Sequence, residues 1–289
     1  MTNIVGKYFK DVYREALDRL VHNPDYISSP RGMKTHELMD VTMTIEDPTV
    51  NLFTNSFRGI PLSYLRKELA LYLSGRRDAE GFAEASSFWK NIATQNGTIN
   101  SAYGYLLFAP NLEGYSNQFD WAYNCLRSDK NTRQAIMFFN TPEFQYEGNK
   151  DFVCTLNGIF HIRDNKLNFR INMRSNDIRR GCQYDIPFFM LLQYLMYLLL
   201  KETVYPDLEL GTYTHYAASL HLYDGDTPEF KDVDMAKKML AADWGISSFP
   251  LPDDSTVIMS PIIASISHGN FPELDPETPN YDFYRWLMK

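Results

Sequence analysis

The sequence predicts an α+β fold in which a mostly buried mixed sheet packs against long helices, and three observations predict it. Segments with the β-branched and aromatic content of strands, RQAIMFFN, FVCTLNGIFHIRDNKLNFRINMRS and SLHLYD, concentrate in the middle and later part of the chain. Between them runs Ile186 to Leu200, fifteen residues interrupted only by Gln193. That is short of the roughly 20 apolar residues a bilayer requires, so it reads as a helix buried on all sides. No internal repeat, low-complexity stretch or long linker divides the 289 residues, which reads as a single domain spanning residues 1–289.

The elements follow in order. In MTNIVGKYFKDVYREALDRL the residues Ile4, Val5, Tyr8, Phe9, Val12, Ala16, Leu17 and Leu20 recur at helical spacing, which predicts an amphipathic helix without a secretory leader. The Pro and Ser content of NPDYISSPRGMKTHEL marks a loop, and the alternation in VTMTIEDP a strand. IPLSYLRKELALYLSG is a helix stopped at Gly75, and Phe82 to Ile92 reads as a second helix. INSAYGYLLF follows a glycine turn and is expected to begin extended. RDNK sits where a hairpin turn would join two strands, the first of which carries Cys154 within DFVCTL.

Composition excludes several classes. Hydrophobic residues at 44% and charged residues at 22% are close to globular usage, so the chain can bury a core. Aromatics at 15% suit a thick core, and equally a deep flat-walled pocket. A net charge of −8 argues against nonspecific nucleic-acid binding, but a small anion responds to a local arginine cluster rather than to distant charge. Three cysteines, Cys125, Cys154 and Cys182, form neither a disulfide framework nor a CxxC pair, which fits a reducing cytoplasm. His215 and His221 stand six apart with no HExxH, and no Walker A or Gly-x-Gly-x-x-Gly motif is present, so no metal site is expected.

Taken singly, the candidate residues have ordinary explanations. Cys154 could be a small buried hydrophobe, and each arginine a solvated charge. Glu68 could be an exposed helix residue, although RKELALYL sets it among apolar neighbours. Asp185 could cap the helix that starts at Ile186. The order of short motifs points elsewhere. SPRG with Arg31, KELALYLSG with Glu68, FW with Trp89, NSAYG with Tyr103, TRQAIMFFN with Arg133, VCT with Cys154, MRSND with Arg174 to Asp177, YDIPFF with Asp185, and SLHLY with His221 and Tyr223 together span residues 31–223. In this order they resemble thymidylate synthase and its relatives, the pyrimidine nucleotide hydroxymethylases.

The resemblance implies a thymidylate synthase-like fold, a sheet-to-sheet homodimer and a folate-dependent one-carbon transferase. Arg31, Arg174 and Ser175 would hold a 5′-phosphate with Arg133 reaching across from the second subunit, because guanidinium forks match phosphate oxygens. Cys154 would add to C6 of a pyrimidine and make C5 a carbon nucleophile toward 5,10-methylenetetrahydrofolate. Glu68 would organise water and relay protons, and Tyr103 would lie close to the nucleophile. Asp177 and Trp89 would meet the folate, Asp177 also meeting the base. His221 and Tyr223, two apart on a strand and therefore on one face, would bond the sugar 3′-hydroxyl.

Asp185 is the informative departure, since the synthases this segment resembles carry asparagine there, matched to O4 and the N3 hydrogen of uracil. A carboxyl group accepts from the amino group of cytosine and, when protonated, donates to N3. The expected substrate is therefore dCMP. Val153 and Thr155 flank the cysteine where the synthases usually read Pro and His, and YRWLMK lacks their small apolar tail. These departures favour water over hydride as the trap of the intermediate, giving a 5-hydroxymethyl product, a role associated with phages that modify their cytosine. A methyl product, dUMP as substrate, or a noncatalytic nucleotide-binding protein are the alternatives.

Overall fold

The computed structural model describes residues 2–109, 114–225, 227 and 231–289. In chain order the elements are β1 (Thr2–Gly6), α1 (Phe9–His22), β2 (Tyr26–Ser28), β3 (Thr35–Ile45), β4 (Leu52–Asn55), α2 (Leu62–Leu73), α3 (Ala79–Ala85) and α4 (Phe88–Ile92). There follow α5 (Tyr103–Phe108), α6 (Gln118–Ser128), β5 (Ile136–Phe138), β6 (Thr155–Arg163), β7 (Lys166–Met173) and β8 (Asn176–Asp177). The remainder is α7 (Gln183–Thr203), β9 (Glu209–Tyr223), α8 (Asp232–Leu240), β10 (Trp244–Ser247), α9 (Pro261–Ser267) and α10 (Tyr281–Leu287). The chain is thus α+β with a mixed sheet and long helices, as its sequence predicts. Its residues group into two compact units, one of Met1–Ile60, Asn168–Gln193 and Gly211–Ser248, the other of Pro61–Leu167, Tyr194–Leu210 and Phe249–Lys289.

In the first unit β3 is the hub. It pairs in parallel with β1 and antiparallel with β2 and β9, and β8 runs parallel to β9. Val41, Met43 and Ile45 of β3 alternate inward, as do Tyr213, His215 and Ala217 of β9. The alternation shifts phase at Asp40, which sits in the left-handed region at φ 51, a conformation aspartate tolerates better than most residues. Beyond the shift Leu220 and Leu222 are buried while His221 and Tyr223 are half-buried. Helix α1 covers this sheet with Phe9, Val12, Ala16 and Leu20, and Phe9, Tyr13, Phe53 and Trp244 pack ring against ring.

The expected N-terminal helix is corrected here: residues 2–6 form β1, and the helix starts at Phe9; Met1 lies outside the described residues. Ile4 and Val5 fit either periodicity, and parallel pairing with β3 decides between them. The helix entrance is fixed by Asp11, whose carboxylate accepts the Tyr8 backbone N–H at 3.0 Å.

In the second unit α2 is buried along Leu65, Glu68, Leu69, Ala70, Leu71, Tyr72 and Leu73. The segment Phe82 to Ile92 is two helices rather than one, because Ser86 leaves the helix at φ −158 and its Oγ accepts from Phe88 N at 3.3 Å. INSAYGYLLF follows an isolated bridge at Thr98 and turns at Asn100 and Ser101 before entering α5. Tyr103, Gly104, Leu107 and Phe108 form the buried face of α5, and a Cβ at Gly104 would stand 1.7 Å from the Tyr72 carbonyl oxygen, so only glycine permits this approach. The RDNK turn forms as predicted, with Asp164 and Asn165 at φ 49 and 61. Helix α7 buries Ile186, Phe188, Phe189, Leu191, Leu192, Leu195 and Met196, and among the described residues no helix is long and apolar enough to cross a membrane.

Candidate active site

The second unit carries Cys154, Glu68, Trp89, Tyr103 and Arg133. Cys154 is not inside a strand, a correction to the sequence expectation; it occupies a bend one residue before β6, between fully buried Val153 and Thr155. The residue is half-buried. The backbone on both sides is pinned. Asn140 Nδ2 donates to Val153 O at 2.7 Å, and Asn100 Nδ2 donates to Asp151 O at 3.3 Å. Ser101 N donates to the Asp151 carboxylate at 2.8 Å, and Thr155 Oγ1 donates to Tyr103 Oη at 2.9 Å. The NSAYG motif therefore acts by bracketing the cysteine segment at residues 151 and 155.

Glu68 is buried at 6% exposure with its carboxylate in a cage of hydroxyls. Tyr64 and Tyr72, one turn to either side on α2, donate to Oε1 at 2.8 and 3.3 Å. Trp89 Nε1 in turn donates to Tyr64 Oη at 3.2 Å. Tyr72 also stacks on Tyr103, ring centroids 5.2 Å apart. The structure thus joins Glu68, Trp89, Tyr103 and the Cys154 segment through Tyr64, Tyr72 and Thr155, none of which the sequence singled out. Tyrosines four residues before and after a buried glutamate were the available signal. Arg133 is exposed, and with Trp121 and Cys125 it lines an open cavity of about 420 Å³.

The first unit carries Arg31, Arg174, Ser175, Asp177, Asp185, His221 and Tyr223. Arg31 is exposed on a single 3₁₀ turn in the left-handed region at φ 53. Arg174 and Ser175 follow β7 and are half-buried. Asp177 accepts the backbone N–H groups of Arg179 and Arg180 through Oδ1, at 2.8 and 2.9 Å, and so caps the π-helical turn Ile178–Cys182. Its Oδ2 is buried without a hydrogen-bond partner, Arg180 Nε lying 3.7 Å away. In register Asp177 lies beside His221, whose ring meets Tyr223 edge-on at 5.4 Å. The Arg180 guanidinium stands 5.1 Å from the Tyr223 ring centre and pairs with buried Asp232 at 3.1 Å, as Arg179 also does.

Asp185 does not cap a helix. The π-helical turn runs directly into α7, which places Asp185 inside the first turn. Burial pushes its carboxyl up to about 6; a hydrogen bond from Asn176 Nδ2 to Oδ2 at 2.8 Å opposes the rise and the charge of Asp177 adds to it. Asn176 Oδ1 accepts from Cys182 Sγ at 2.7 Å and meets His215 Nε2 at 3.1 Å; His215 Nδ1 lies 2.8 Å from Tyr213 Oη. Burial holds His215 at about 3, so its imidazole is neutral. Gly181 is required here, since a Cβ would come within 2.6 Å of Asn176 Nδ2 and 2.9 Å of Asp185 Oδ2. The sequence reading missed Asn176, Tyr213 and this role of His215; the signal that could have found His215 is the alternation of β9, which buries Tyr213, His215 and Ala217 on one face.

A model of the thymidylate synthase family matches residues 9–242. The deoxycytidylate 5-hydroxymethyltransferase of Enterobacteria phage T4 is 30% identical over 168 residues, 56% of this chain and 64% of that protein, so the chain matches under two thirds of that relative's length. The deoxyuridylate hydroxymethyltransferase of Bacillus phage SP01 is 24% identical over 276 residues, covering 90% of the chain and 69% of the relative. Thermostable thymidylate synthase A from Bacillus subtilis has the same fold, with a TM-score of 0.65 at 19% identity over 85% of this chain and 87% of that one. That family model matches more than half of the sequence: the chain is a member of the thymidylate synthase family.

Proposed function

We propose that the protein transfers a one-carbon unit from 5,10-methylenetetrahydrofolate to C5 of dCMP and releases the 5-hydroxymethyl nucleotide. The observation that carries the choice of base is Asp185, a carboxyl group raised to about 6 by burial and therefore able to hold a proton near neutral pH. Such a group offers cytosine both an acceptor for its amino group and a donor for N3, whereas asparagine, which the synthases are expected to carry there, suits uracil. A T4 relative whose name states deoxycytidylate hydroxymethylation supports this reading.

The residues divide the work. Arg31, Arg174 and Ser175 bind the 5′-phosphate, and His221 and Tyr223 the sugar. Arg133, exposed on its own subunit, serves the phosphate of a partner subunit in a homodimer. Cys154 adds as thiolate to C6, which makes C5 nucleophilic; C5 bonds to the one-carbon unit and loses its proton to water ordered by Glu68. The bond from that carbon to the folate nitrogen breaks, tetrahydrofolate leaves with the electron pair and a proton, and an exocyclic methylene remains. Water then adds to the exocyclic methylene carbon, and the bond from Cys154 to C6 breaks. Folate supplies the carbon. Asp177 Oδ2, a buried acceptor without a hydrogen-bond partner, fits an N–H of the pterin, and Trp89 provides an aromatic wall.

The test is mass analysis of products from dCMP, CMP and dUMP assayed side by side, with exchange of the C5 hydrogen into solvent followed in parallel. The expected result is 5-hydroxymethyl-dCMP and exchange from dCMP; tight dCMP binding without either product or exchange overturns the reading in favour of a noncatalytic nucleotide binder. The second reading, dUMP hydroxymethylation, is favoured by the SP01 relative, and the same assay separates it. Mixing inactive Arg133→Ala and Cys154→Ser chains tests the shared site, because about a quarter of the sites in random dimers regain every native residue. Activity that stays at background refutes the exchange of Arg133.

A further inference from the structure

We propose that Asn176, backed by His215 and Tyr213, is a positioning residue for base selection, which reserves Asp185 Oδ2 as an acceptor so that the carboxylic proton sits on Oδ1. The inference rests on Asp185 reading the base. Its grounds are four side chains in series on three elements: Asp185 on α7, Asn176 on β8, and His215 and Tyr213 on β9. Asn176 and His215 are 3% and 0% exposed.

The direction of the series follows from its ends. The Cys182 thiol donates to Asn176 Oδ1 at 2.7 Å, so that atom is the carbonyl oxygen, and the amide nitrogen faces Asp185. Turning the amide over would aim its N–H groups at the thiol and the imidazole and its oxygen at a carboxylate. With Oδ1 an acceptor, His215 Nε2 must carry the hydrogen, and Nδ1 then accepts from Tyr213. Every link is satisfied in this sense, and a buried network of this kind is worth most when complete.

The consequence falls on Asp185. The hydroxyl oxygen of a carboxylic acid is a poor acceptor, so the N–H of Asn176 favours the un-protonated state of Oδ2 and directs the proton to Oδ1. Cytosine then finds Oδ1–H for N3 and the second lone pair of Oδ2 for its amino group. Uracil, which needs a donor opposite O4 and an acceptor opposite N3–H, finds the reverse. Asp177, the other charge acting on Asp185, raises its carboxyl but does not distinguish the two oxygens.

The experiment compares kcat/KM for dCMP and dUMP in the wild-type chain, in Asn176→Ala and Tyr213→Phe, and in each of these combined with Asp185→Asn. Asn176→Ala is expected to lower the dCMP-to-dUMP ratio about 10- to 100-fold, the cost of leaving a buried polar group unsatisfied. Tyr213→Phe, which changes only a hydroxyl and keeps the fold if Asn176→Ala does not, is expected to lower it about 2- to 5-fold by relaxing the imidazole tautomer. In the Asp185→Asn background neither change should move the ratio. Equal losses on both nucleotides, or a shift that persists without Asp185, show a structural role and overturn the inference. A wild-type enzyme with no preference for dCMP overturns the Asp185 reading and this inference together; a wild-type preference that both variants retain overturns this inference alone.

Discussion

The surroundings of Cys154 and of Asp185 are built from different chemistry. Around Cys154 and Glu68 the partners are Tyr64, Tyr72, Tyr103, Trp89, Thr155 and Asn140, hydroxyl, indole and amide groups that hold position at any physiological pH. Around Asp185 stand four titratable groups: Cys182 and His215 bond to the Asn176 amide that also holds Asp185, Tyr213 reaches it through His215, and Asp177 acts by its charge alone. The first arrangement suits a reaction step common to any pyrimidine, because nothing in it tells one base edge from another. The second suits a choice between bases, which turns on where a single proton resides.

The largest expected effect breaks the first region outright. Cys154→Ser should lower turnover at least about 10⁴-fold, since a serine hydroxyl is a far weaker nucleophile than a thiolate, while dCMP still binds. Turnover within tenfold of wild type would remove Cys154 from the chemistry. The next breaks the second region. Asp185→Asn should move the ratio of kcat/KM toward dUMP by about 10² to 10⁴, because a mispaired buried hydrogen-bonding edge discriminates strongly. An unchanged ratio would defeat the account of base selection.

The second region also makes a prediction about stability, with opposite signs at its two ends. His215 is held at about 3, below its unfolded value, so its contribution is present above pH 6.5 and is lost as pH falls toward 3. Asp185 is raised to about 6, so the native state gains relative stability as pH falls from 6 toward its unfolded value of 3.8. Between those limits the unfolded chain binds a proton on the histidine and the native chain one on the aspartate, and the two slopes offset. Relative to wild type, Asp185→Asn should therefore lose roughly 2 kcal/mol of unfolding free energy from pH 6 to 4.5, and His215→Phe should gain a similar amount. Half-burial of Asp185 makes its share an upper bound. Urea titrations at both pH values measure this, and parallel shifts of the same sign would refute the assignment.

How much of this was legible in the sequence follows from contact range. Tyr64, Glu68 and Tyr72 share one helix face by spacing alone, and the Asp164–Asn165 turn announces its hairpin. The motif order placed the cysteine, the arginines and Asp185 in a family, but the local residue pattern set Cys154 inside a strand that it in fact precedes, and Asp185 lies within its helix, not at the cap that was its ordinary explanation. Those details depend on distant tethers such as Asn140 to Val153. The bond from Asn176 to His215 spans 39 residues, and no periodicity links a β8 amide to a β9 imidazole. β1 was hidden for the same reason, since Ile4 and Val5 acquire strand geometry from β3, some 40 residues on.

The smallest expected effect sharpens the contrast between the two regions. Tyr64→Phe removes one of the two hydroxyls on Glu68 Oε1 and the acceptor of Trp89 Nε1, leaving ring packing intact. One hydroxyl donor to this carboxyl group contributes about 0.5 to 1.5 kcal/mol, so turnover should fall roughly 2- to 10-fold. If Asp185 alone selects the base, as proposed, the loss should be equal for dCMP and dUMP, and the ratio should stay at its wild-type value. Steady-state rates on both nucleotides decide the point. A change in the ratio would mean that Glu68 also takes part in base selection, and the separation of rate from choice would have to be given up.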